Sequence, residues 1–156
     1  MVKDPRLPTT PAEYSRQYDL HMALVESISK LKQAVNRLRR TKRQLGDIAR
    51  SGGATGKSAA AIVEKLSAIE GVMVDPQRKS VRDVLRNPAG LNDTLFDMIA
   101  MTTTADAAPT SQTKAVSREV MDKVDSEVAR FEALVKGEIA PLNAALAKAR
   151  VGHVTA

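Results

Sequence analysis

The chain has 156 residues, enough for one domain with a real core, and its 24 Lys and Arg against 18 Asp and Glu give a net charge of +6. Only Tyr14, Tyr18, Phe96 and Phe131 are aromatic, so the core has to be aliphatic, and alternating β-branched runs are nearly absent. The lack of cysteine excludes disulfides, thiolate catalysis and Cys-based zinc sites, and no apolar stretch approaches the ~18 residues of a membrane span.

Met1 leads straight into "VKDPRLPTTP", with no secretory leader visible, and residues 1–9 read as a linker. The segment "TTPAEY" is a helix start. Thr10 is the cap, Pro11 suits the first helical position, and Glu13 stands where a capping box needs it. From there a helical pattern runs to about Arg50. His21, Leu24, Ile28, Leu31, Val35, Leu38, Lys42, Leu45 and Ala49 recur by three and four, laying one seam along roughly 60 Å of helix.

"SGGATGKS" at 51–58 interrupts this pattern and resembles the end of a phosphate-binding loop. Gly56, Lys57 and Ser58 match Gly-Lys-Ser, but Ser51 stands where the first glycine belongs. Such a loop also has to follow a buried strand, whereas an amphipathic helical stretch precedes this one. The segment therefore reads as a turn between helices, with Ser58 capping the next helix and Lys57 in solvent.

A second helix is expected from Ser58, with Ile62, Leu66, Ile69 and Met73 on one face. Residues 75–90 read as a connector with two prolines, in which a turn of helix is expected around Val81 to Leu85. A third helix is expected from about Pro88 to Thr103, burying Leu91, Leu95, Met98 and Ile99. After the break at "ADAAPTSQ" a last helix runs from Ser111 to about Arg150. Val120, Val124, Val128, Phe131, Val135, Ile139, Leu142 and Leu146 give it an eleven-residue apolar period, and Pro141 predicts a kink. Residues 151–156 read as a frayed tail carrying His153.

These elements predict an all-α helical bundle over residues 10–150, with two long and two shorter helices. It is either an up-down four-helix bundle or three columns with the middle one broken at 75–87. The broken column is preferred, because a short hairpin would leave half of each long seam uncovered.

Charge supplies the next candidate. From Lys30 to Arg43 there are seven basic residues and no acid, whereas Asp93 to Glu138 holds nine acids against five bases. Arg37, Arg39, Arg40, Lys42 and Arg43 are the residues that would contact an anionic partner such as nucleic acid. No interleaved aromatics or recognisable nucleic-acid motif accompany them. The preferred reading is a solvated face, or a charge match with the acidic last helix.

No catalytic, metal or cofactor site is expected. His21 sits on the seam as a packed or hydrogen-bonded residue, and the carboxylates are spread along helices rather than paired with histidine. The apolar seams are expected to pack within the chain, with a homo-oligomer as the alternative.

Several segments, in order, resemble the C-terminal helical region of bacterial sortilin-type BNR/Asp-box β-propeller proteins, often labelled glycosyl hydrolases. They are "VKDPRLPTTPAEY", "KLSAIEG", "RNPAGLNDTL", "ADAAPTSQ" and "IAPLNAAL". The resemblance implies that "V-x-DPR" closes a preceding β-sandwich segment. It also implies an exported parent protein, so a periplasmic or secreted setting. No Asp-box occurs here, so the resemblance brings no glycosidase residues with it. It implies a non-catalytic accessory domain that packs on a neighbouring domain or protein.

Overall fold

A computed structural model describes residues 8–76, 89–149 and 152–156. The described residues form five α-helices: α1 (Pro11–Arg50), α2 (Gly53–Met73), α3 (Leu91–Met101), α4 (Ser111–Leu134) and α5 (Ala140–Lys148). A π-helical turn, Val135–Ile139, joins α4 to α5. There is no strand among the described residues.

Capping chemistry defines the start of α1. The Thr10 N–H donates to Glu13 Oε2 at 2.7 Å, and the Thr10 hydroxyl donates to the same oxygen at 2.8 Å. Pro11 then occupies the first turn, where its missing N–H costs nothing. At α4 the Thr110 hydroxyl accepts from the Thr113 N–H at 3.1 Å.

The bundle has three columns. Lys30 pairs with Asp125 and Arg37 with Glu132, so α4 runs parallel to α1. Gly56 lies against Ile48 and Ala49 while Glu70 reaches Arg39 and Lys42, so α2 runs back along the C-terminal half of α1. The third helix continues in that direction: Lys32 lies over the Phe96 ring, and Gln17 donates to the Thr102 carbonyl near the start of α1. The middle column is therefore α2 followed by α3, with its break after Met73. The suggested helical turn near Val81 to Leu85, and Pro88, lie outside the described residues.

The seams meet in one core. Leu24, Leu31, Leu38 and Leu45, seven residues apart, are fully buried, with Ile28 and Val35 filling the rows between them. Ile62, Leu66, Ile69 and Met73 face them from α2, and Val120, Val124, Phe131, Ile139, Leu142 and Leu146 close the third side. An oligomer through these seams would require the bundle to open, because the chain already covers them. Val128 and Val135 are only partly covered, as are Leu91, Met98 and Ile99 of α3.

Four expectations change in detail. First, α2 begins at Gly53, five residues before Ser58. Gly52 and Gly53 adopt φ of 75° and 70°, the left-handed region, which reverses the chain in two residues. Ser58 is then interior, its hydroxyl donating to the Ala54 carbonyl rather than capping. Second, α3 starts at Leu91 because Gly90 seats its first turn on the end of α2. Third, the last helix is not α-helical throughout: just before Pro141 it passes through the π-helical turn, in which the Ala140 N–H donates to the Val135 carbonyl. Fourth, residues 152–156 pack on the bundle, and Val154 is buried.

Gly90 gives the first testable consequence. A Cβ there would lie 3.1 Å from both the Met73 carbonyl oxygen and the Asp75 nitrogen, and 3.2 Å from the Val74 Cα. All three are backbone atoms that cannot rotate aside. Gly90→Ala is expected to cost about 1–2 kcal/mol of unfolding free energy by urea titration, as overpacking does. An unchanged midpoint would mean that α2 and α3 are free to separate there.

Candidate functional site

The basic stretch lies on the side of α1 that faces both neighbouring columns, and the structure divides its five candidate residues. Arg37 turns to α4, where Nη1 is 2.6 Å from Glu132 Oε1 and the guanidinium lies 5.3 Å from the centroid of the Phe131 ring. Arg39 and Lys42 turn to α2. Arg39 Nε donates to Glu70 Oε1 at 2.6 Å, and Lys42 Nζ donates to Glu70 Oε2 at 2.7 Å. Arg40 and Arg43 are exposed and make no ion pair with any described residue.

Glu70 organises this site. Its side chain is only 8% exposed, although it belongs to a helix face that otherwise buries Leu66, Ile69 and Met73. Burial pushes its carboxyl up, but the hydrogen bonds and charges of Lys42 and Arg39 outweigh that and hold it below the ordinary value. Each oxygen has its own cation, so the buried carboxylate is matched rather than orphaned. Lys42, which the spacing puts on the seam, is partly covered because it reaches across to this acid.

The charge match is therefore broader than a pairing with the last helix alone. Lys30–Asp125, Arg37–Glu132 and Lys65–Glu138 tie the outer columns to the rest. As half-exposed pairs, each is worth roughly 0–1 kcal/mol. They align neighbouring helices more than they hold them. Of the five candidate residues, only Arg40 and Arg43 are left without an ion pair to a described residue.

The turn at 51–58 has no phosphate-loop geometry. It follows an α-helix rather than a strand, and of its N–H groups Ser51 donates to the Ile48 carbonyl, Gly52 to that of Ala49 and Gly56 to that of Gly52 at 3.2 Å. Gly56 is needed for contact, because a Cβ there would stand 3.2 Å from the Ala49 carbonyl oxygen. Lys57 is exposed on the first turns of α2.

His21 behaves as a packed polar residue, with Nδ1 at 2.7 Å from the Thr102 hydroxyl. No group of three His, Asp or Glu that could hold a metal ion occurs among the described residues. A shallow groove of about 560 Å³ lies between α2 and the π-helical turn, with Ala68, Ala133 and Gly137 along it and the Lys65–Glu138 pair at its edge.

Three of the five exposed large apolar side chains of the described residues lie toward one end of the bundle. Leu95 is the single buried residue of α3. Tyr18 of α1, Met101 of α3 and Val116 of α4 are 62%, 50% and 43% exposed. The Lys30–Asp125 and Arg37–Glu132 pairs set α4 against α1 so that Val116 lies level with residue 21. The Gln17–Thr102 and His21–Thr102 contacts put Met101 at that level too. Each of the three columns thus exposes a large apolar side chain at the same height.

No family model, curated protein or solved structure matches this chain. No helix among the described residues is long and apolar enough to cross a membrane.

Proposed function

We propose that this chain is a non-catalytic helical accessory domain that packs on a neighbouring domain or protein. The observation that carries the reading is the exposure of Tyr18, Met101 and Val116 at one level of the bundle. Large apolar side chains exposed at one level on each column of a small domain support a contact surface there. The pairing of Arg37, Arg39 and Lys42 inside the bundle supports the same reading, since it turns the basic stretch to structural use. The neighbour suggested by the ordered sequence segments is the β-propeller part of a sortilin-type BNR/Asp-box protein.

Two measurements test these two parts separately. The genomic context of the coding sequence should place a propeller-encoding segment in frame with it or beside it, and its absence there would remove the sortilin assignment. Where that neighbour is present, it should bind the chain when the two are co-expressed. Tyr18→Asp combined with Met101→Asp should weaken that binding at least tenfold with little change in melting temperature, because both positions are half or more exposed. Unchanged binding by the double variant would move the contact surface elsewhere.

A further inference from the structure

The segment that follows α5 makes an unusual set of contacts. Asn143 Nδ2 donates to the Val154 carbonyl at 2.9 Å, and the Val154 N–H donates to Asn143 Oδ1 at 2.9 Å. One carboxamide thus satisfies both backbone groups of one residue, as a neighbouring β-strand would. The next residue is held from α1: the Thr155 N–H donates to Gln44 Oε1 at 2.7 Å, and the Thr41 hydroxyl reaches the Thr155 carbonyl at 3.4 Å. Between these clamps the Val154 side chain, 1% exposed, enters the core cluster.

Four features separate this arrangement from ordinary tail packing. Every one of these hydrogen bonds goes to main-chain atoms of 154 and 155, so they would serve any extended peptide. Three side chains from two helices supply them. Selectivity is left to one apolar socket, filled by a β-branched residue. The segment joins no helix or sheet, and beyond these bonds and the socket it has, among the described residues, only Ala156 against the core and His153 Nε2 at 3.5 Å from Asn143 Nδ2.

We infer that the groove between α1 and α5 is a binding site for an extended peptide carrying a β-branched aliphatic residue, and that residues 154–155 occupy it in cis. Ordering five residues of chain costs conformational entropy of the same order as the gain from one buried valine and a few net hydrogen bonds. The cis segment is therefore displaceable, and a partner's peptide of the same character enters by replacing it. This site is on a different part of the bundle from Tyr18, Met101 and Val116, and it does not depend on the accessory-domain reading.

The test uses the full chain with Val154→Asp, which keeps the helices but bars a charged side chain from the socket. The probe is a fluorescently labelled peptide of residues 152–156, followed by anisotropy. The variant should bind it saturably, and the parent chain at least tenfold more weakly, because its own segment competes. Adding Asn143→Ala to the variant, or placing Asp at the valine position of the peptide, should abolish binding. No binding by a variant that melts like the parent, or equal binding of the valine and aspartate peptides, would overturn the proposal. Should Val154→Asp not fold, amide exchange on the parent chain decides. Excess unlabelled peptide should speed exchange at Val154 and Thr155, and unchanged protection at saturating peptide would overturn it.

Discussion

Phe131→Ala is expected to be the most damaging single truncation, lowering the unfolding free energy by about 3–4 kcal/mol. Phe131 is fully buried and is the largest side chain in that state. The chain has only two phenylalanines and no tryptophan, so an otherwise aliphatic core relies on this ring to fill the space between the columns. Its loss removes transfer energy and leaves a cavity that straight helices cannot collapse to fill. It also withdraws the surface under the Arg37 guanidinium, 5.3 Å from the ring centroid, on which the Arg37–Glu132 pair is aligned. Urea unfolding of the parent and of the Ala and Leu variants measures this. Phe131→Leu should recover more than half of the loss, and an Ala variant within 1 kcal/mol of the parent would show a loosely packed centre.

Glu70→Ala is the second large effect, expected at about 2–3 kcal/mol, in the range of charge-assisted hydrogen bonds lost together. The figure stays below that for a fully buried pair because the Arg39 side chain is 46% exposed and can turn to water. Lys42, at 26%, has less freedom. The pH dependence has a definite sign. A carboxyl held below its ordinary value of 4.5 by its partners stabilises the fold fully above that value. The contribution fades as pH falls below 4.5 toward the folded-state value, because protonation then removes the charge that the two cations bind. The stability difference between the parent and Glu70→Gln should accordingly be constant from neutral pH down to about 5 and shrink below it. A difference that does not change between pH 6 and pH 3 would mean that the two ion pairs contribute nothing net.

Glu70 also shows where reading the chain in one dimension stops. Arg39 and Lys42 are legible as part of a basic run, and the excess of acid in the last helix suggests a partner for it. The actual partner lies in a different helix, 31 and 28 residues away along the chain. A signal was present: Glu70 interrupts a stripe of Leu66, Ile69 and Met73 that is otherwise apolar and buried. A carboxylate in such a stripe needs a cation opposite it, but which cation depends on how far α2 runs back along α1. That offset is set by Gly52, Gly53 and the close approach at Gly56.

The docked segment at 152–156 was less legible still. Valine, histidine and threonine near the end of a chain carry no pattern, and Asn143 looks like any polar residue on a helix. Only with α5 beside α1 do Asn143, Gln44 and Thr41 converge on one extended stretch of backbone. The exposed level at Tyr18, Met101 and Val116 is likewise a product of the offset between columns rather than of any one helix.

What the sequence alone determined is the set of helices. Their hydrogen bonds, caps and apolar faces all depend on residues within a turn or two of one another, so the periodicity of Leu24 to Leu45 and the start at Thr10 could be read directly. The tertiary structure decided which charges meet, where the π-helical turn before Pro141 falls, what fills the groove beside α5 and which apolar side chains stay exposed at one level. These are consequences of how three columns slide and rotate against each other. That choice sums many weak contacts over distant residues, and no local pattern records it.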